Sequence, residues 1–129
     1  MLQRRTQELD LVRESYGEIE IGPNLDWIVI KRYSLPPGWN KGETALLITI
    51  QPGYPTTPPD NFYVDNDLRI AGGQVPANAS LDQVQLGKPW LQFSYHVEAA
   101  DWKPNPDLLR GHNLLTFLLG VKRRLLELN

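Results

Sequence analysis

The chain has 129 residues, of which 41% are hydrophobic and 22% charged, with a formal net charge of −2. This length suits one domain over residues 1–129, and the slightly negative charge argues against nucleic acid as a partner. The absence of cysteine excludes disulfides, thiolate metal sites and a thiol nucleophile. No apolar run resembles a secretory signal or a membrane span. We therefore expect a cytoplasmic protein with no metal, cofactor or membrane partner.

The first half of the chain predicts a helix followed by a meander of strands. Four apolar residues recur at helical spacing before a glycine that suits a helix end: Leu2, Leu9, Val12, Tyr16 and Gly17. Segments rich in β-branched and aromatic residues, separated by proline and glycine turns, predict four strands at 18–21, 26–33, 44–50 and 61–64. The charged residues of the helix, Glu8 among them, are expected on its solvent-facing surface.

The second half predicts a long loop and a second helix. From Asp65 to Pro89 the periodicity fails, which indicates an irregular connection of the kind that is usually functional or mobile. Asn105 then suits a helix N-cap, with Pro106 at the first helical position, and leucines at helical spacing follow. The predicted class is α+β: an N-terminal helix, a four-stranded antiparallel meander, a long irregular loop and a C-terminal helix.

The stretch "YPTTPP" at 54–59 marks where the third predicted strand must stop. Proline lacks the amide donor that a sheet ladder needs, and a residue before proline is pushed towards extended conformations. We therefore expect a stiff, extended, polyproline-like turn here.

Several motifs together resemble the ubiquitin-conjugating E2 superfamily, and more closely the bacterial group called prokaryotic E2 family E. They are "GWN" at 38–40, the Tyr-Pro-x-x-Pro-Pro turn at 54–59, "W..FS.H" at 90–96 and the Trp-x-Pro at 102–104. The resemblance spans nearly the whole chain and implies a UBC-like fold. It also implies that the proline turn and the Trp-x-Pro wall the site region through Tyr54, Pro55, Pro58, Pro59, Trp102 and Pro104.

Two departures from the usual E2 pattern concern the chemistry. The His-Pro-Asn tripeptide is replaced by "QLGKPWLQ", and the position of the E2 cysteine falls on Ser94, with His96 two residues later. The group that this chain resembles is described as lacking the cysteine and retaining a histidine nearby. A serine hydroxyl needs an adjacent base. If 93–97 is extended, Ser94 and His96 share a face and could form a hydrogen bond, with Asp101 or Glu98 as the orienting carboxylate.

The resemblance implies work in a bacterial ubiquitin-like modification pathway, beside an E1-like activating enzyme and a ubiquitin-like modifier protein. In the superfamily the first helix is where the activating enzyme docks, often through basic residues. Arg4 and Arg5 are therefore candidates for binding an E1-like partner, and the alternative is that both are simply solvated surface residues.

Four functions stay open from the sequence. The chain is a transferase in which Ser94 and His96 replace the cysteine, or a non-catalytic adaptor (a pseudo-E2) that presents a ubiquitin-like protein. The alternative is a small α+β hydrolase that uses His96, or an unrelated protein-binding module built on the same fold. The other histidine, His112, is expected to pack beside the core near the start of the last helix rather than to assist His96.

Overall fold

A computed structural model describes residues 2–129, which form two α-helices, six strands and one 3-10 turn. In chain order these are α1 (Leu2–Tyr16), β1 (Ile19–Ile21), β2 (Trp27–Ser34), β3 (Glu43–Thr49), β4 (Phe62–Asp65), β5 (Ala79–Gln85), β6 (Lys88–Phe93), the 3-10 turn (Ala99–Asp101) and α2 (Leu114–Leu126). The predicted α+β class is confirmed, and the first helix and first four strands lie within one or two residues of their predicted positions.

The strands form one antiparallel sheet in the order β1-β2-β3-β4-β6-β5. The prediction of only four strands is wrong, because the supposedly irregular segment at 65–89 contains β5 and the start of β6. These two strands pair as a hairpin whose turn residues, Leu86 and Gly87, have φ of 53° and 75°. Two positive φ values in succession are typical of a tight hairpin turn, but leucine is an unusual residue for the first position.

The main core lies between the two helices and one face of the sheet. Its fully buried members come from α1, α2 and the inner strands, and include Leu9, Val12, Phe117, Val121, Ile28, Ile30, Leu46, Ile48, Phe62, Leu91 and Phe93. A second, smaller apolar cluster contains the alternating residues Val29, Leu47, Tyr63 and Trp90. Apolar residues on both faces explain why "ALLITI" reads as a nearly continuous apolar run.

The C-terminal helix begins eight residues later than predicted. Its N-cap is Asn113, whose side chain accepts a hydrogen bond from the Thr116 amide while the Thr116 hydroxyl accepts one from the Asn113 amide. Asn105 instead accepts from the Asp107 amide in a tight turn, because Gly111, at φ +64°, folds back against residues 103–105. Over residues 2–129 no helix has the length and apolarity needed to cross a membrane.

Candidate functional site

The proline segment forms a hydrogen-bonded turn. The Tyr54 amide donates to the Gln51 carbonyl at 3.0 Å and the Thr57 amide to the Gly53 carbonyl at 2.9 Å, with a cis peptide bond before Pro55. The predicted turn is therefore present, but the expectation that it is extended and polyproline-like is wrong, because that conformation has no internal hydrogen bonds. Tyr54 and Pro59 are buried, whereas Pro55 and Pro58 are partly exposed.

The structure brings the proline turn and the Trp-x-Pro motif into contact. The indole Nε1 of buried Trp102 donates to the Pro55 carbonyl at 2.7 Å, and its ring lies 6.3 Å from that of Tyr54. On its other side Trp102 stacks on His112, with ring centroids 5.3 Å apart. Pro104 bridges to Gly111 in the same loop. These contacts hold the loop before α2 against the proline turn.

His112 has a structural position two residues before α2. Its Nδ1 accepts a hydrogen bond from the Lys103 amide at 2.8 Å, so the proton of the neutral ring lies on Nε2. Together with its stacking on Trp102, this is in keeping with the expectation of a histidine packed beside the core.

A buried glutamate anchors this region, and the sequence did not indicate it. Glu8, expected on the surface, is 1% exposed. Its Oε1 accepts from the Tyr54 hydroxyl and, at 2.7 Å, from the Leu114 amide, while its Oε2 accepts from Arg4 Nε at 2.8 Å. Burial, with the nearby Glu8 charge, raises the pKa of the Tyr54 phenol, which therefore stays a donor. One carboxylate thus joins α1, the proline turn and the first turn of α2.

Arg4 and Arg5 are both engaged inside the fold. Arg4 Nη1 donates to the Asn105 carbonyl at 2.5 Å, and the guanidinium of Arg5, which is 9% exposed, donates to the Leu25 and Gln51 carbonyls at 3.0 Å each. Both side chains hold α1 to neighbouring loops rather than extend into solvent. Their docking of an E1-like enzyme stays a prediction, and the buried position of Arg5 does not favour it.

His96 lies at the surface, where the ends of β4 and β6 meet. Asn61, at φ 62°, donates from its amide to the Tyr95 carbonyl at 2.8 Å, which is one residue out of the register that pairs Phe62 with Phe93. Beyond this shift, Nδ1 of His96 lies against Oδ1 of Asp60. The His96 side chain is 62% exposed and that of Asp60 45%. The carboxylate beside His96 is therefore Asp60, whereas Asp101 and Glu98 lie exposed and make no ion pair with it within residues 2–129.

Ser94 and His96 are not coupled. Strand β6 ends at Phe93, and Ser94 is exposed with its amide donating to the Asn78 carbonyl at 2.8 Å. No hydrogen bond joins the Ser94 hydroxyl to His96 in the part of the chain that the structure describes. The predicted Ser94–His96–Asp101 arrangement is not formed among residues 2–129: the prediction required residues 93–97 to be extended, whereas β6 ends at Phe93.

The contact between Asp60 and His96 determines which nitrogen of the imidazole can accept a proton. An ionised carboxylate only accepts hydrogen bonds, so Nδ1 carries the proton and Nε2 of the neutral ring is left as an acceptor. This is the arrangement in which an imidazole takes up a proton from a nucleophile. For metals, residues 2–129 contain no group of three side chains of the ligand types His, Cys, Asp and Glu placed to hold an ion.

Comparison with known proteins identifies the family. The model of "Prokaryotic E2 family E" matches residues 2–125. The chain belongs to prokaryotic E2 family E. Comparisons with curated proteins and with solved structures gave no significant match. This family E chain is therefore an E2-like protein, in which Tyr54, Pro55 and Trp102 contact one another while Ser94 and His96 stay apart.

Proposed function

We propose that this protein is a cysteine-less E2-like adaptor of a bacterial ubiquitin-like modification pathway. It is a single cytoplasmic domain with a variant of the UBC-like fold, and it binds an E1-like activating enzyme and a ubiquitin-like modifier without carrying the modifier covalently. The observation that carries the proposal is the state of Ser94. Among residues 2–129 its hydroxyl has no hydrogen-bonded base, and an unassisted serine is a weak nucleophile.

The architecture around the proline turn supports a binding role. Trp102 donates a hydrogen bond to the Pro55 carbonyl, and Tyr54 donates one to the buried carboxylate of Glu8. Residues 103–111, which follow Trp102 in the chain, are mostly exposed. A loop held in one conformation by buried contacts loses less entropy on binding a partner than a free loop does.

Intact-mass measurement tests this function. The protein is incubated with the candidate E1-like enzyme, the ubiquitin-like modifier and ATP, then denatured, for wild type, Ser94→Ala and His96→Ala. We expect stoichiometric binding of modifier before denaturation, no adduct after it, and the same binding by both variants. A control confirms that the E1-like enzyme activates the modifier.

Two outcomes contradict the adaptor. A hydroxylamine-labile adduct that disappears in Ser94→Ala assigns a covalent ester to Ser94. Turnover of small esters without any protein partner, lost in His96→Ala, assigns the hydrolase alternative instead.

A second candidate function rests on the Asp60–His96 pair. We propose that Nε2 of His96 accepts a proton from a nucleophile on a bound protein, with Asp60 holding the imidazole in the required tautomer. Nitrogen-15 NMR of the ring reports the tautomer directly. We expect the Nδ1-protonated form in wild type and in the control Asp101→Ala, and a mixed population in Asp60→Ala. The same tautomer ratio in Asp60→Ala as in wild type contradicts this role.

A further inference from the structure

Helix α2 carries a stripe of three leucines and one lysine beside its core-facing side. Leu115, Leu119, Lys122 and Leu126 follow one another at i, i+4, i+7 and i+11, which places them on one side of the helix. Leu119 is 50% exposed and Leu126 58% exposed. Leu115 is half-buried and packs against the core, so the exposed apolar surface of the stripe comes from Leu119 and Leu126. Exposed apolar patches can mark interaction sites.

This stripe forms one wall of a long groove. Two adjoining pockets, of about 510 and 400 Å³, share Ser15, Tyr16 and Leu119. The end of α1, strand β2 and the loop after it form the opposite wall of the first pocket, and the loop before α2 lines the second. Leu109, in that loop, is 88% exposed.

The charged residues that line the groove are both basic. Arg32 and Lys122 line the first pocket, and no acidic residue lines either. Lys122 makes no ion pair within residues 2–129. Arg32 lies 3.4 Å from Glu43, but the two side chains are 73% and 51% exposed, so this contact is weak. The groove therefore combines a wall of leucines with two basic residues, of which Lys122 has no ion pair within residues 2–129 and Arg32 has one exposed, weak ion pair.

We propose that this groove binds an amphipathic helix of a protein partner, with apolar residues against the leucine stripe and carboxylates beside Lys122 and Arg32. From Leu115 to Leu126 the stripe runs for roughly 16 Å, which matches about three turns of a partner helix. Packing an apolar helix face into such a groove is a common mode of recognition, and opposite charges at its rim set orientation and specificity. The groove does not include Ser94, His96 or Asp60, so the proposal can be tested independently of the adaptor function.

Fluorescence anisotropy with two designed three-turn helical peptides tests the proposal. Both carry leucines at i, i+4, i+7 and i+11; one has glutamates on the flanks and the other has lysines. We expect the full-length protein to bind the glutamate peptide at least about ten-fold more tightly. Lys122→Glu should abolish that preference, whereas the control Arg123→Glu, on the neighbouring exposed residue that does not line the groove, should keep it.

The apolar contribution is tested with Leu119→Asp and with the control Val84→Asp, since Val84 is 69% exposed on β5, outside the groove. We expect affinity for the glutamate peptide to fall about ten-fold or more in the first variant only. Equal binding of the two peptides by wild type, or NMR shift changes that map outside the groove, would overturn the proposal. So would a dimer that dissociates in Leu119→Asp, which would assign the groove to a second copy of the chain.

Discussion

Replacing Glu8 with alanine should destabilise this protein far more than a surface glutamate on a helix normally would. The Glu8 carboxylate is buried and accepts three hydrogen bonds, from the Tyr54 hydroxyl, the Leu114 amide and Arg4. Alanine removes all three acceptor contacts at once, while the donors stay in place.

The expected loss of stability in Glu8→Ala follows from the buried donors that are left without an acceptor. Each buried donor without an acceptor costs ~1–3 kcal/mol, and breaking a buried ion pair on one side costs ~3–5 kcal/mol. These terms overlap, so we expect Glu8→Ala to lower the free energy of unfolding by about 3–5 kcal/mol, a large fraction of the roughly 5–15 kcal/mol typical of a domain. Tyr54→Phe removes one hydrogen bond to a charged group and should cost about 1.5–3 kcal/mol.

Equilibrium urea unfolding followed by circular dichroism measures both values. With a slope of ~2 kcal/mol per molar urea, Glu8→Ala should lower the midpoint by about 2 M. Glu14→Ala, on an exposed residue of the same helix, is the matched control and should stay within about 0.5 kcal/mol of wild type. If Glu8→Ala does not fold, Glu8→Gln, which keeps the shape and one acceptor, takes its place. A free energy of unfolding for Glu8→Ala within about 1 kcal/mol of that for Glu14→Ala would refute the anchoring role.

Three further predictions concern stability. The free energy of unfolding should fall as the pH rises above about 10, because burial raises the pKa of Tyr33 to about 12 and also raises that of Tyr54, so the unfolded chain releases these protons first. In the double variant Tyr33→Phe with Tyr54→Phe, the urea midpoint should decline less steeply with pH. An unchanged decline contradicts the assignment. Gly120→Ala should lower the free energy of unfolding by about 1–3 kcal/mol despite alanine's better helix propensity, since the new methyl group would overlap the Tyr95 hydroxyl. Thermal unfolding should show that adding Tyr95→Phe recovers part of this loss. No recovery would place the strain elsewhere. Asn113→Ala should cost about 0.5–2 kcal/mol through loss of the N-cap, and Asn113→Ser less, by urea unfolding; equal losses would mean that the cap contributes little.

The first half of the fold followed from local sequence signals. Apolar spacing at 3.6 residues predicted α1, and Gly17, at φ +80°, ends it one residue after Tyr16. Proline and glycine turns separated strands β1 to β4 at nearly their observed bounds. Each of these signals is read within about ten residues of chain, so no knowledge of distant contacts was needed.

The second half was predicted less well. Asn105 and Pro106 predicted a helix start at 105–106, but residues 103–105 pack against Gly111 and the helix begins only after its N-cap, Asn113. The β5–β6 hairpin was missed because its turn is Leu86-Gly87 and because Val84 and Leu86 are exposed rather than buried. The β4–β6 register, continued beyond Phe62 and Phe93, would pair Asp60 with Tyr95 rather than with His96. The Asp60–His96 contact depends instead on the one-residue shift at Asn61, which no sequence pattern indicated.

The sequence by itself therefore determined the family, the α+β class, the lack of a thiol and the residues of the proline turn. Only the tertiary structure decided which carboxylate is a buried hydrogen-bond acceptor and which one lies beside His96. Glu8 looked like a solvated helix residue and is a buried anchor, while His96 is paired with Asp60, 36 residues away in the chain, and not with the nearer Asp101. The reason is physical: hydrogen-bond partners of buried or strand-end groups are set by which elements pack together, and sequence distance carries no information about that packing.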